Sequence, residues 1–394
     1  MLIKGTTSCN LKCAYCYEKD IGHLIESGLV SNSNVIRQKA KELRTDMPGI
    51  QAALHGGECL LLGHCFVGLL LESIYRNEGR SSLVTNGTLI DDKFIGMFKE
   101  YKCEIAISMD GPWPLNRLRG YPDDEERCKQ YTDELMETIY RMADEGIIVR
   151  MLCTFNKANE DYPDEMIEWI QDLARHGITC GRVNLVKGEY APDPKKWEIF
   201  LKKLVTLTVL VPGINWHPVA NVSEIFITGR CSECSNLPCD PFCTHGSHTL
   251  LGDGRVTSCL MSQAFMLHGN RCPTALYWRE DWLSKTPVED GGCMGCKYWT
   301  SCYGGCPGGG QDWRLKDHLC ESRYRTFKVI EEYLRDVGIE PIFPPSVLVE
   351  PIETWYRRVE RTVVVPDRYS DTTVNGIRLK ETPDVIEVWY NGKE

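Results

Sequence analysis

The chain has no run approaching the roughly 20 consecutive apolar residues that span a bilayer, so no membrane partner is expected. Its opening, Met1-Leu-Ile-Lys-Gly-Thr-Thr-Ser-Cys9, lacks the long apolar core and small-residue cleavage site of a secretory signal, which predicts a cytoplasmic protein. A basic excess is missing as well. With 45 Lys and Arg against 55 Asp and Glu, the net charge is −10, which disfavours broad contact with nucleic-acid phosphates or anionic lipid. A small molecule or a neutral-to-basic peptide is the easier partner. What is plentiful is cysteine, 20 of 394 residues. In a chain without a secretory signal, so many thiols point to metal or redox chemistry in a reducing compartment rather than to a disulfide frame.

Three of those thiols lie together near the start, in Cys9-Asn-Leu-Lys-Cys13-Ala-Tyr-Cys16. Each can ligate a different iron of one iron-sulfur cube. The next cysteine is Cys59, so the local set stops at three and leaves one iron open to a substrate or cofactor. Zinc is the alternative, because soft thiolates suit both. Structural zinc sites, however, usually close with four ligands in paired knuckles.

From residue 1 to about 190, short apolar runs alternate with longer amphipathic stretches, the pattern of strand-helix units around a parallel sheet. Strands are predicted over 2–7, 51–54, 82–84, 104–108, 147–154 and 182–186. Helices are predicted over 32–44, 64–77, 91–101, 124–145, 162–176 and 194–209. The expected fold is α/β, a partial (β/α)6 TIM-like barrel. In such barrels functional residues sit where strands end, and the polar motifs fall there: the cysteine loop, His55-Gly56-Gly57-Glu58, Thr85-Asn86-Gly87 and Ser108-Met-Asp110-Gly111. Gly56 and Gly57 permit close backbone approach to a ligand, and Glu58 can accept bonds from an ammonium. Ser108 and Asp110, on alternate positions, can grip ribose hydroxyls, and Asn86 can join the same pocket. Read singly, a Gly-Gly pair or an Asp-Gly after a strand is an ordinary turn signal.

Taken in order, these motifs resemble the radical S-adenosylmethionine enzymes, in the branch that carries extra clusters. The resemblance covers residues 1 to about 190. It implies that Cys9, Cys13 and Cys16 hold a 4Fe-4S cluster whose open iron takes the amino and carboxylate groups of S-adenosylmethionine. Glu58 would then stand near that amino group, with Ser108 and Asp110 near ribose. The sequence departs from the family pattern twice. Cys59 replaces a proline after the glutamate, and 116–119 lacks the usual His-Asp run, so no role is carried to Arg117 or Arg119. Cys59, a thiol near the radical site, is the candidate hydrogen donor that an epimerase requires.

Past residue 211 a second cysteine-rich region begins, with Cys231, Cys234, Cys239, Cys243 and Cys259, then Cys293, Cys296, Cys302, Cys306 and Cys320. Gly252-Asp-Gly254 marks a hairpin turn between Cys243 and Cys259. The later set taken alone also fits a zinc ribbon. Together with the hairpin it resembles the SPASM extension over 243–320, which implies two auxiliary clusters and hence three 4Fe-4S clusters in all. Cys293, Cys296, Cys302 and Cys320 would hold the distal one. Cys243, Cys259 and Cys306 would hold the proximal one, with Cys239, Cys234 or Cys231 as its fourth ligand or an open site in its place. Domains are expected at 1–212, 213–242 (a bridge), 243–338 and 339–394 (a β tail), with a helix over 322–337 docking back on the barrel. Cys65, Cys103, Cys128, Cys153 and Cys180 read as structural, buried thiols. Trp278, Trp282, Trp299 and Trp313 read as core or cluster shielding.

The expected function is oxidative modification of a ribosomally made peptide, by crosslink or thioether formation, with an electron donor such as flavodoxin or ferredoxin. A start almost at the first strand leaves no N-terminal leader-binding module, so a separate recognition protein or the tail would serve. Two alternatives stand beside it: dehydrogenation or epimerisation of a small alcohol or aminocyclitol-like molecule, and a non-catalytic iron-sulfur or zinc scaffold. A sulfatase-maturing role is disfavoured, because Leu260 follows Cys259 where those enzymes place an aspartate.

Overall fold

The computed structural model describes residues 1–16, 32–46, 49–229, 249–257, 282–306 and 316–343, with the backbone of 372–374, 377–382 and 385–390. Seven parallel strands follow one another in sequence order: β1 (Leu2–Lys4), β2 (Ala53–His55), β3 (Ser81–Thr85), β4 (Cys103–Ser108), β5 (Val149–Phe155), β6 (Cys180–Leu185) and β7 (Asn215–His217). The crossovers carry α1 (Ser33–Asp46), α2 (Gly63–Glu78), α3 (Asp92–Glu100), α4 (Glu125–Asp144), α5 (Pro163–Arg175) and α6 (Pro194–Leu210). Each predicted strand and helix of this half is present.

Local chemistry sets the helix starts. Asp91, Asp124 and Asp193 accept from the first-turn amides of Phe94, Arg127 and Lys195, and Pro163 and Pro194 open α5 and α6, where a missing N–H costs nothing. Along β5 the alternation is regular: Val149, Met151, Cys153 and Phe155 are buried, while the residues between them are less so. The buried set faces the helices. The other set faces the inside of the open barrel, as a parallel sheet with helices on one face requires.

The seventh strand was not predicted. It has three residues between Gly213 and Pro218, too few for a period-2 pattern to register. It is followed by α7 (Val219–Thr228).

The predicted hairpin is present as β8 (Thr249–Leu251) and β9 (Val256–Thr257), antiparallel to each other. Rather than standing apart, it completes the barrel sheet: β8 pairs in parallel with β1, Lys4 opposite Leu251. The short α8 (Trp299–Cys302) lies in the later cysteine region, and α9 (Cys320–Asp336) docks on α6 and α7 as expected. There Trp197 Nε1 donates to Thr326 at 2.9 Å, and Phe226, Tyr298 and Phe327 stack in one aromatic cluster. The tail forms an antiparallel meander of β10 (Thr372–Val374), β11 (Ile377–Thr382) and β12 (Val385–Tyr390). Of the expected β tail, residues 344–371 lie outside the described residues.

One helical run, Cys59–Glu78, is long and apolar enough to cross a membrane by composition. It is instead the β2–β3 crossover, and Val67, Leu70, Leu71 and Ile74 are buried in the core cluster. Two further expectations are corrected. Cys65 is exposed on α2 rather than buried, and Trp282 is 55% exposed, so it shields nothing.

Candidate active site

The segment after β1 carries Cys9, exposed, and Cys13 and Cys16, partly buried, none of them in a disulfide. Amide groups point at two of the sulfurs. Leu11 N–H lies 3.4 Å from Cys9 Sγ, Asn86 Nδ2 3.7 Å from the same atom, and Gly120 N–H 3.3 Å from Cys13 Sγ. Such donors suit an anionic sulfur. Partial desolvation of the Cys9 sulfur, opposed by the Leu11 N–H and reinforced by Cys13 and Glu58, raises its pKa, and a bound metal would favour the thiolate. Among the described residues, no group of three or more His, Cys, Asp and Glu side chains is placed to hold a metal ion.

The glycine pair is packed against this loop. Gly57 N–H donates to Thr6 O at 3.0 Å and Glu58 N–H to Ser8 O at 2.8 Å. A Cβ on Gly57 would lie 2.2 Å from Ser8 O and 2.4 Å from Thr7 O. Absence of a side chain here serves the approach of one loop to another. His55 Nδ1 accepts from the Gly56 N–H at 2.8 Å, a local loop contact.

Glu58 is fully buried. Its carboxylate accepts from Leu60 N–H at 2.9 Å, Thr85 Oγ1 at 2.7 Å and Asn86 N–H at 2.7 Å. Burial raises its pKa, and those three bonds pull the other way. It therefore ties the end of β2 to the end of β3. Asn86, so placed, reaches Cys9 and also Asn10, at 2.9 Å.

Asp110 is also fully buried. Oδ1 accepts from Arg119 Nη2 at 3.0 Å and Thr154 N–H at 2.9 Å, while Oδ2 accepts from Thr154 Oγ1 at 2.9 Å and from the Tyr15 hydroxyl. Ser108 differs. It is only partly buried, and among the described residues its hydroxyl has no hydrogen-bond partner. By register Ser108 stands opposite Leu152, Leu152 opposite Arg182, and Arg182 opposite His217, a row across β4 to β7 on the face turned from the helices. Burial, then the charges of Arg182 and Arg150, push the His217 pKa down to about 4.

Cys59 lies on the other side. It is 1% exposed, its thiol donates to Val84 O at 3.4 Å, and it belongs to the apolar core with Cys103. Burial first, then Glu58 and Cys103, raise its pKa well above the thiol range. A thiol so enclosed has no open face for a substrate radical, so the hydrogen-donor role is not carried forward.

In the second half, Cys293, Cys296 and Cys302 surround α8, and Cys320 opens α9. Cys302 is pushed up to about 12, by burial first and then, against Arg323, by the sulfurs of Cys320, Cys293 and Cys296. The four expected distal ligands thus feel one another's charge. Cys306 follows, near the buried Arg323, which pairs with Asp317 at 2.8 Å. Cys231, Cys234, Cys239, Cys243 and Cys259 lie outside the described residues, as do Trp278 and Trp313.

Sequence reasoning missed Tyr15, Arg119, Thr154 and Asn156 as a group round Asp110. Thr154 and Asn156, polar residues at the end of an apolar strand, were the available signal.

A partial α/β barrel whose first loop offers three thiols, framed by the next loops, defines the class. Residues 3–181 match the Radical SAM superfamily, and this part of the chain is a radical SAM domain. It is 32% identical over 127 residues to the cysteine-type anaerobic sulfatase-maturating enzyme of Clostridium perfringens strain 13, a match covering 30% of this chain and 34% of that one. It is 25% identical over 180 residues to the antilisterial bacteriocin subtilosin biosynthesis protein AlbA of Bacillus subtilis strain 168, covering 45% and 38%. The chain thus spans only about a third of these relatives' length. Among solved structures, native anSMEcpe with bound AdoMet superposes with a TM-score of 0.64 at 22% identity, over 85% of this chain and 98% of that one. Streptococcus suis SuiB gives 0.55 at 14%, over 80% and 75%. These two share the fold.

Proposed function

We propose that this radical SAM enzyme oxidatively modifies a peptide. The observation that carries the reading is the set of three cysteines after β1, none in a disulfide, with amide donors directed at Cys9 and Cys13. Cys9, Cys13 and Cys16 would hold a 4Fe-4S cluster, and Cys293, Cys296, Cys302 and Cys320 the distal auxiliary one. Cys306 with Cys243, Cys259 and Cys239 would hold a proximal third. Bound there, the clusters and S-adenosylmethionine supply a 5′-deoxyadenosyl radical and an acceptor for the electron left over.

The chain's own residues hold and orient. Gly56, Gly57, Glu58 and Asn86 frame the cysteine loop, Ser108 offers a hydroxyl at the end of β4, and Leu152, Arg182 and His217 line the barrel wall that substrate would meet. A peptide is favoured because the similar proteins include enzymes named for maturating sulfatases and for subtilosin biosynthesis. With Leu260 after Cys259, the modification is read as a crosslink or thioether rather than sulfatase maturation. Retention of the whole frame round the triad disfavours a non-catalytic scaffold. Flavodoxin or ferredoxin would supply the electron, in the cytoplasm.

Anaerobically reconstituted protein should release 5′-deoxyadenosine with dithionite, and zinc-filled protein that releases none would leave the scaffold. A short precursor peptide encoded beside this chain, converted to a product lighter by two hydrogens, supports the peptide reading. Deuterium uptake from solvent into a small-molecule product would replace it with epimerisation.

A further inference from the structure

The loop after β4 is fastened to the cysteine loop along its backbone. Lys12 N–H donates to Gly120 O at 2.9 Å and Ala14 N–H to Leu118 O at 2.8 Å, beside the bond from Gly120 N–H to Cys13 Sγ. These contacts deliver Arg119 to the inside of the cysteine loop. Its side chain is 10% exposed, its guanidinium lies 5.4 Å from the Tyr15 ring centroid, and Asp110, with no exposed surface, accepts from its Nη2 at 3.0 Å.

Stability alone does not explain such a pair. A buried ion pair is commonly no more stabilising than apolar side chains of similar volume, because both charges lose their water. Its position does suggest a use. Because Lys12 and Ala14 pair with Gly120 and Leu118, Arg119 stands opposite Cys13, so a side chain that stays cationic throughout the working range is held by Asp110 on the segment flanking the second thiol of the triad. A positive charge in a poorly solvated site stabilises the electron-rich form of a neighbouring redox centre.

We propose that Arg119 is a positioning residue for the N-terminal cluster: clamped by Asp110, it sets a fixed positive charge beside Cys13 that raises the reduction potential of the cube the triad holds. Asp110 is the counterweight that keeps the shift small. The inference rests on the radical SAM reading, but its test does not depend on turnover.

The test is a potentiometric titration of anaerobically reconstituted full-length protein, following the electron paramagnetic resonance signal that changes on adding S-adenosylmethionine. Arg119→Gln removes the cation and leaves Asp110 uncompensated, so its midpoint should move negative. Asp110→Asn leaves the cation uncompensated, so its midpoint should move positive. Arg119→Lys should stay near the parent. Opposed shifts cannot come from loosened packing, which disturbs both variants alike. If Arg119→Gln does not retain iron, Asp110→Asn decides: a positive shift supports the proposal and any other result overturns it. Shifts of one sign, or none, overturn it while leaving the radical reading intact. A parent protein without an S-adenosylmethionine-responsive signal removes that reading and this proposal together.

Discussion

The side-chain amide of Asn86 donates to the sulfur of Cys9 across 3.7 Å, joining the end of β3 to the first thiol of the opening loop. Glu58 holds Asn86 in place through its backbone N–H, so a carboxylate at the end of β2 reaches the cysteine loop at one remove. The motifs after β2 and β3 act on this loop as a scaffold, and that organises what substitutions should do.

Cys13→Ala should lower bound iron by about four per chain and abolish 5′-deoxyadenosine release. The later thiols lie elsewhere in the fold, so their signal should survive. Iron analysis with product chromatography checks both.

Glu58→Ala would leave Leu60 N–H, Thr85 Oγ1 and Asn86 N–H without their shared acceptor in a buried site. An orphaned buried donor costs about 1–3 kcal/mol, and some of the three will find water. A net loss of about 3 kcal/mol is expected in denaturant unfolding of the apoprotein, together with weaker iron retention. Glu58→Gln should lose less.

Gly57→Ala places a methyl 2.2 Å from Ser8 O, which only a shift of the cysteine loop relieves. The expected result is a stability loss of about 1–3 kcal/mol and iron loss confined to the N-terminal cluster. Gly96→Ala, on α3 where nothing lies within 4 Å, is the control and should be neutral or slightly stabilising.

Cys302→Ser should remove about four iron per chain and spare 5′-deoxyadenosine release in the absence of substrate, because the proposed function assigns its sulfur, with Cys293, Cys296 and Cys320, to the distal auxiliary cluster. Loss of the S-adenosylmethionine-responsive signal in this variant would contradict the division into separate sets.

His217 is held neutral in the fold, with a pKa of about 4 from burial and the cations Arg182 and Arg150, below the unfolded value of about 6.5. The folded state then binds fewer protons than the unfolded one between these limits. Its contribution is full above about pH 6.5 and falls as pH drops towards 4. Thermal unfolding from pH 8 to 4 should show this slope, and His217→Gln should flatten it.

Much of the barrel was legible because its signals are local: short apolar runs and longer amphipathic stretches alternate along the chain. The triad was legible for the same reason, its three thiols falling within eight residues. Strand β7 was not, being three residues long. The pairing of β8 with β1 joins residues nearly 250 positions apart, and no period in the chain encodes such a contact.

Tertiary structure alone decided what the motif residues do. The sequence determined that carboxylates stand after β2 and β4, and it could offer them to a nucleoside. Only the fold shows Glu58 and Asp110 buried, their oxygens taken by donors from distant segments, and Ser108 without a hydrogen-bond partner among the described residues. It also turned Cys59 into the core, away from the barrel interior. The physical reason is that residue type sets which bonds a side chain can make, whereas burial and the arrival of a partner from elsewhere in the chain set which bonds it does make.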